Sequence, residues 1–395
     1  MMRHSIPGET NFVHVVLEGT SYEVGRQQGE MLKNDPQRST YLAPHLPFLT
    51  GFTPQEAQVA LKYIETYCPG LREEIQGAAD ASGVPVEEIA FLGGRNKENG
   101  FSAIPMEDSG SREVRRGSFC SHFAVLPPAA ADRHMYAAQN IDSSPSDLDL
   151  RLCTTRVRGK PAHIGFSDMI FGRLQGLNEH GFCVTTSWGA PMMWPSCHGL
   201  PYFAVVRALL DRSTNVADAV EVLTGIPVAW CTNFILSDAG GNAALVEIAG
   251  EDRGVRETHP AAQGRFQYAT NHYTLPELQA FTKKKRRESI TRRQIIETSL
   301  ERAVTPIDQE MIRGILSRSM PEGVGMPYYS SGMGTLWSMI FDVTDRTVEI
   351  CFGNPGSPQN TWHTYGLYDA AGSTQYKAHI PDRPAPEGFW QTVEQ

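Results

Sequence analysis

The pattern of apolar and polar positions changes character near residue 120. Before that point, residues 12–18 alternate between apolar and polar side chains, which predicts one strand. Apolar residues then recur at helical spacing, which predicts helices over 21–32, 54–67 and 70–81 and a short helical turn over 86–92. The first part of the chain is therefore predicted to be mainly helical.

Beyond residue 120, apolar runs come in pairs that are separated by short turn segments. This arrangement predicts five hairpins, with strands at 120–126 and 134–140, 151–157 and 162–167, 173–177 and 182–188, 233–237 and 243–249, and 337–343 and 347–352. Helices are predicted at 200–212, 216–223, 287–303 and 306–317. Hairpins favour antiparallel sheets, and helices inserted in blocks favour two stacked sheets with the helices outside.

Composition narrows the class of protein. The 395 residues are 41% hydrophobic and 20% charged, which is typical of a globular chain that buries a sizeable core. A net charge of −9 argues against a general nucleic-acid binder, which needs a basic surface. No apolar run approaches the roughly 20 residues of a membrane span, and residues 1–8 lack the apolar segment of a signal peptide.

Seven cysteines, an odd number without CxxC spacing, favour a reducing compartment. We therefore expect a cytoplasmic protein that acts on a small molecule, with neither nucleic acid nor membrane as partner. A homo-oligomer is compatible with this expectation.

Candidate chemistry lies at the start of the first hairpin. Cys120 opens an apolar strand, and the return strand ends on Gln139-Asn140-Ile141-Asp142. Such an arrangement holds a nucleophile at a strand start with polar partners beside it. Residues 95–117 have no period and are predicted to form an exposed loop that leads into the nucleophile.

Other features are predicted to be mainly structural. His122 lies two residues beyond Cys120 and points to the same face of the strand, so it is a candidate for tuning the site. A papain-like Cys–His pair remains an alternative, although the helix-start pattern of that family is missing around Cys120. The basic run 283–287, with Arg292 and Arg293, is interpreted as a solvated helix start, and a site for an anionic group such as the phosphates of a coenzyme A thioester is the alternative. No HxxxH or CxxC spacing points to a metal.

Several segments in order resemble the isopenicillin-N acyltransferase family of N-terminal nucleophile (Ntn) hydrolases, relatives of the bile-salt and penicillin V hydrolases. The resemblance covers roughly residues 12–355. It is carried by residues 22–29, 73–79, Cys120, 139–142, 176–181 and the Thr270-Asn271-His272 motif.

The resemblance implies a four-layer αββα sandwich and a chain that cuts itself between Phe119 and Cys120. Residues 1–119 would then be a mainly helical first chain or propeptide and residues 120–395 the catalytic chain, within one structural domain. Cys120 would be the nucleophile, Asp142 would orient the new amino terminus, and Asn271 would line the oxyanion hole. No cofactor is implied. A freed α-amine has a pKa near 7.7–8.0, which suits a general base for the thiol.

Two positions depart from the family pattern. The bile-salt branch carries arginine where this chain has Gln139, so Gln139 favours the acyltransferase branch. The family often has asparagine at the end of the strand after the central hairpin, where Ser187 or a backbone N–H would have to substitute. Gln139, Ser187 and His122 are the candidate substrate-binding residues.

The expected reaction forms an acyl-enzyme on Cys120 from an acyl amide or acyl thioester. Resolution by an amine would make the protein an N-acyltransferase, and resolution by water would make it an amidohydrolase. A catalytically idle member of the family is the third alternative, which the joint presence of Cys120, Asp142 and Asn271 disfavours.

Overall fold

A computed structural model describes residues 8–34, 54–93, 119–145, 148–189, 199–258, 264–282, 284–331 and 333–394. The predicted loop 95–117 lies outside the described residues.

The larger of two main sheets has ten strands. They are β1 Glu9–Gly19, β4 Arg151–Val157, β5 His163–Asp168, β6 Gly172–Arg173, β7 Gly176–Asn178, β8 Phe182–Trp188, β9 Cys231–Asp238, β10 Ala243–Ala249, β11 Asp252–Thr258 and β18 Ser373–His379. Their order is β11-β10-β9-β8-β7-β5-β4-β1-β18, with β6 paired to β5. All neighbours pair antiparallel except β1 and β4, which run parallel.

The second sheet has seven strands. They are β2 Phe119–Val125, β3 Tyr136–Ser143, β12 Phe266–Ala269, β14 Pro327–Tyr328, β15 Met333–Asp342, β16 Thr347–Phe352 and β17 Trp362–Gly366. Their order is β12-β2-β3-β15-β16-β17, with β14 paired to β15. A separate two-stranded ribbon joins β13 Lys284–Arg286 to β19 Thr392–Glu394.

The described helices lie in two groups. The first group is α1 Ser21–Asn34, α2 Pro54–Tyr67, α3 Leu71–Ser82, α4 Val86–Gly93, α5 Tyr202–Arg212 and α6 Val216–Gly225, and the second is α7 Arg287–Glu301 and α8 Gln309–Ser317. Helix α1 is capped by Thr20. The Thr20 hydroxyl accepts the Glu23 N–H, while the Glu23 carboxylate accepts the Thr20 N–H at 2.7 Å, and these two bonds form a capping box.

Three buried clusters define four layers. One cluster packs helices α2 to α6 against the outer face of β8, β9 and β10. A second fills the space between the two sheets, where Phe166 stacks on Trp337 at 4.0 Å between ring centroids. A third packs α7 and α8 on the outer face of β2, β3 and β15. The predicted αββα sandwich of antiparallel sheets is therefore confirmed.

Residues 8–34 and 54–93 are built into this sandwich. Strand β1 lies between β4 and β18. Helices α1 and α3 approach closely because Gly25 has no side chain, since a Cβ there would lie 1.8 Å from the Glu74 carbonyl oxygen. Gln28 of α1 donates to the Glu74 carboxylate at 2.7 Å, and Glu74 forms a buried ion pair with Arg207 of α5 at 2.7 Å.

Candidate active site

The register of β2 and β3 decides which side chains share a face. Cys120 lies opposite Ile141, and Phe119 lies opposite Asp142. Because side chains alternate along a strand, Cys120 points into the space between the sheets, as does Ile141. Phe119 and Asp142 point instead toward the layer of α7 and α8. Asp142 therefore lies beside the peptide bond that precedes Cys120, and not beside the thiol.

Asn271 contacts the backbone of Cys120 directly. It follows β12, which pairs with β2 and brings Ala269 opposite His122. Its Oδ1 accepts the Cys120 N–H at 3.1 Å, and its Nδ2 donates to the Trp188 carbonyl at 3.0 Å. The Asn271 N–H donates to Ser289 Oγ at 2.9 Å. These bonds fix the amide orientation, and they leave the second Nδ2 hydrogen for another acceptor.

Arg292 joins the cysteine to the asparagine. Its Nη1 donates to the Cys120 carbonyl at 2.7 Å and to Ser121 Oγ at 2.9 Å, and its Nη2 donates to Asn271 Oδ1 at 2.9 Å. The remaining donors bind Glu288, at 3.0 Å from Nε and 2.5 Å from Nη2. Arg292 and Glu288 are both at most 1% exposed.

The interpretation of Arg292 as part of a solvated helix start was therefore wrong. The neighbouring Arg293 is half-buried and pairs with Glu297 at 3.0 Å. A sequence signal was present in the i, i+4 spacing of Glu288 and Arg292, which places both on one helix face. The surrounding run of basic residues concealed it.

Asp142 is fully buried, and burial raises the pKa of its carboxyl to about 7 against the opposing effects of Arg292 and a Thr335 hydrogen bond. Thr335 Oγ1 donates to Asp142 Oδ1 at 2.5 Å. A bulge in β15 between Thr335 and Trp337 brings Thr335 opposite Asp142. Among the described residues Asp142 Oδ2 has no hydrogen-bond partner, so the carboxyl has room for one more donor.

His122 bridges the two sheets in its neutral form. Its Nδ1 lies 2.9 Å from Thr185 Oγ1 and its Nε2 lies 3.0 Å from Ser187 Oγ. Ser187 gives its only hydroxyl hydrogen to the Thr270 carbonyl, so Nε2 carries the imidazole proton and Nδ1 accepts from Thr185. Burial lowers the pKa of His122 to about 3, which keeps the ring uncharged. Both ring nitrogens and the Ser187 hydroxyl are thus engaged within the protein.

Gln139 is also fully buried and faces β8. Its Nε2 donates to the Thr186 carbonyl at 2.5 Å, and its Oε1 has no partner within the described ranges. Of the three candidate substrate-binding residues, Gln139 is the one that retains an unused polar atom.

Residues 129–357 match the family described as acyl-coenzyme A:6-aminopenicillanic acid acyl-transferase. This match spans more than half of the chain. The chain belongs to this family. It is therefore an enzyme of the acyl-transferase kind, and the predicted family relationship is confirmed. The matched residues of this acyl-transferase family member begin after Cys120.

Solved structures of three other proteins resemble this acyl-transferase family member at low identity. A mutant of conjugated bile acid hydrolase from Clostridium perfringens is 11% identical with a TM-score of 0.42, over 68% of this chain and 99% of that chain. Penicillin V acylase from Agrobacterium tumefaciens is 16% identical with a TM-score of 0.40, over 65% of this chain and 90% of that chain. The Caenorhabditis elegans ortholog of N-acylethanolamine-hydrolyzing acid amidase is 12% identical with a TM-score of 0.37, over 61% of this chain and 94% of that chain. A search of curated proteins gave no match.

The Phe119 side chain of this acyl-transferase family member is enclosed on the outer face of the sheet. It is 1% exposed, and the Arg286 guanidinium carbon lies 4.4 Å from its ring centroid. The Trp390 ring lies 6.1 Å away between centroids. Both contacts depend on residues far along the chain, so no local pattern in the sequence indicated them.

The family member has a group of metal-type ligands away from this site. In the described part of the chain, His134, Asp342 and Asp345 bring three possible ligand atoms within 4.8 Å of one another. Here His134 Nδ1 forms an ion pair with Asp342 at 2.8 Å. None of the described helices is both long enough and apolar enough to span a membrane.

Proposed function

We propose that this acyl-transferase family member is a self-processing cysteine enzyme that uses Cys120 to take an acyl group from an amide or thioester and transfers it to an amine. The observation that carries the proposal is the contact of Asn271 Oδ1 with the Cys120 N–H, with Arg292 bonded to both residues. A strand-opening cysteine, an asparagine and a buried guanidinium from three separate chain segments thus meet at the backbone of one residue, Cys120.

Self-cleavage would prepare the site. The Cys120 thiol attacks the Phe119 carbonyl carbon, the C–N bond breaks as the nitrogen takes the thiol proton, and water hydrolyses the resulting thioester. Water supplies the hydroxyl of the new Phe119 carboxyl group, and its other hydrogen returns to sulfur. The carboxyl group then gives its proton to the new amine, which leaves a carboxylate and an α-ammonium. The new α-ammonium lies beside Asp142, whose Oδ2 has no other partner among the described residues. A positive charge there would draw the Asp142 pKa down from its raised value.

Turnover would then use the α-amine as the base. The amine takes the Cys120 proton, sulfur attacks the substrate carbonyl, and the leaving nitrogen or sulfur receives that proton. The second Nδ2 hydrogen of Asn271 would stabilise the oxyanion, a contribution of roughly 3–4 kcal/mol for one such donor. An acceptor amine finally attacks the thioester and returns its proton to the site. Resolution by water is the alternative, and Gln139 is the residue that favours transfer. We expect the enzyme to work in the cytoplasm.

The test is incubation with a panel of acyl amides and acyl thioesters, with and without acceptor amines, followed by mass spectrometry of the protein and the products. We expect an acyl mass on the peptide that begins with Cys120, and an acylated amine as product. Cys120→Ala should lose turnover and keep the fold. Cys183→Ala, another buried cysteine between the sheets, is the matched control and should retain activity. Wild-type turnover in Cys120→Ala would end the assignment, and release of free acid alone would favour the hydrolase.

A further inference from the structure

The enclosure of Phe119 is built by residues that hold one another in place. We call Arg286 and Trp390, the two residues around the Phe119 ring, the Phe119 cage. Arg286 ends β13 and pairs with Thr392 of β19. The next N–H, that of Arg287, donates to the Gln391 carbonyl at 2.8 Å. The cage walls are therefore joined by backbone hydrogen bonds that do not involve Phe119.

Trp390 is held by further aromatic contacts, and its indole nitrogen can donate a hydrogen bond. Its ring packs on Phe389 at 4.7 Å between centroids, and Phe389 packs on Tyr328 at 4.9 Å. The buried indole Nε1 of Trp390 has no hydrogen-bond partner in the described part of the chain. The cage thus presents a cation and an aromatic face for a ring, with one N–H donor for an acceptor atom beside it.

Cutting the chain would remove the tether that holds Phe119 in this cage. The new carboxylate of Phe119 would lie opposite the buried Asp142 in the strand register. Repulsion between like charges at such a site favours departure of the freed end. The emptied cage would open one residue from the α-amine of Cys120.

The position of the cage decides which part of a substrate it would meet. The α-amine exchanges a proton with the leaving or attacking nitrogen, so that nitrogen lies within hydrogen-bond reach of it. We infer that the Phe119 cage is the subsite for an aromatic ring carried on the nitrogen side of the substrate. This inference rests on the proposed function, because it requires the cut at Phe119.

The test is isothermal titration calorimetry with L-phenylalaninamide and L-alaninamide on protein whose cut state is read by denaturing mass spectrometry. Cut wild-type protein should bind phenylalaninamide about tenfold more tightly than alaninamide, as expected for an aromatic contact with a cation. Trp390→Ala should lose this preference, and Trp390→Phe should keep part of it. Trp362→Ala removes a half-buried tryptophan elsewhere and should change nothing. Uncut Cys120→Ala should not bind, because Phe119 fills the cage.

Equal affinity for the two amides in cut wild-type protein, or an unchanged preference in both Trp390 variants, would overturn the inference. Binding to the uncut chain would overturn it as well. An uncut but active wild-type protein would instead show that the self-cleavage step fails, and the inference would fall with it. If cut protein turns over acyl amides without any preference for an aromatic ring, the proposed function is supported and the assignment of the cage as a subsite is wrong.

Discussion

Asn271 combines at a single residue the contacts that make the proposed chemistry specific. Its Oδ1 accepts from the Cys120 N–H and from Arg292, and its Nδ2 donates to Trp188. These three side-chain hydrogen bonds, with a fourth from the Asn271 backbone N–H to Ser289, give a preorganised donor.

Replacing Asn271 with alanine should therefore reduce kcat by about 10²–10³ with little change in KM, because the donor acts on the transition state. Steady-state kinetics on the acyl substrate found by mass spectrometry measures this. Asn215→Ala, which changes an asparagine that caps α6 away from the site, is the control for folding and should retain kcat. A rise in KM alone would make Asn271 a binding residue.

Asp142 predicts a pH dependence of stability in the uncut chain. Its pKa is raised by burial from the ordinary 3.8 to about 7, so between these values the native state holds a proton that the unfolded chain has lost. The free energy of unfolding therefore falls as the pH rises through this interval.

In the uncut Cys120→Ala background, Asp142→Asn removes this ionisation. Between pH 5 and pH 8, the free energy of unfolding of the variant should rise relative to that of its parent. The expected change is on the order of 2 kcal/mol, which corresponds to the roughly two pH units between pH 5 and the raised pKa. Urea unfolding at both pH values measures it. The comparison between pH values cancels any constant cost of the amide. If the free energies of unfolding of the variant and its parent differed by the same amount at pH 5 and at pH 8, Asp142 would be ionised in the native state at both pH values.

Part of the candidate site could be proposed from the sequence alone. Cys120 was a candidate because it opens an apolar strand, and Asn271 because it lies in a motif of three consecutive residues; their catalytic roles stay predictions. The contacts of Arg292 could not be predicted from the sequence, since they depend on the packing of α7 against β2 across about 170 residues of sequence. The environment of Ser187 was equally hidden, because its hydroxyl partner is the Thr270 carbonyl of another segment.

Helix α7 acts as a single element that holds the site from outside. Glu288, Ser289 and Arg292 lie on its buried face. Ser289 accepts the Asn271 N–H and contacts His272 at 2.8 Å, while Arg292 holds Cys120. One helix face therefore fixes the positions of both the strand that carries Cys120 and the Asn271 loop.

Breaking the buried Glu288–Arg292 ion pair on this helix face should lower the free energy of unfolding substantially. Arg292→Met should lower the free energy of unfolding by roughly 3–5 kcal/mol, because Glu288 is left as an uncompensated buried charge. Arg293→Ala, at the next position, loses a half-exposed pair with Glu297 and should cost about 1 kcal/mol or less. Urea denaturation compares the two. Adding Glu288→Gln to Arg292→Met should restore part of the loss. Equal effects of the two single changes would refute the buried-pair argument.

At the scale of the whole molecule, local patterns predicted the layers better than the connections between them. Five hairpins and two pairs of helices followed from short-range alternation and turn residues. The parallel pairing of β1 with β4 and its pairing with β18 join segments about 140 and 360 residues apart, and no local pattern encodes such partners. Strands β17, β18 and β19 were not predicted, because most of their residues are exposed or half-buried and they contain no apolar run.

These long-range pairings bear on the fate of the first 119 residues after self-cleavage. Strand β1 is an interior strand of the ten-stranded sheet, and Glu74 of α3 is fully buried against Arg207 of α5. Removing residues 1–119 would expose the edges of β4 and β18 and leave Arg207 partly unpaired. We therefore predict that the two fragments remain associated as one folded particle and are not separated as a releasable propeptide.

Native size-exclusion chromatography of cut protein should give one peak that contains both fragments, and they should separate only in denaturant. Glu74→Ala should lower the free energy of unfolding by roughly 3–5 kcal/mol, since it leaves the buried Arg207 without its partner in the first fragment. Glu73→Ala, the neighbouring exposed carboxylate, should have little effect. Because the Glu74 pair joins the two fragments, Glu74→Ala should also bring fragment dissociation to a lower urea concentration. Separate elution of residues 1–119 from active wild-type enzyme would contradict the prediction and identify them as a propeptide.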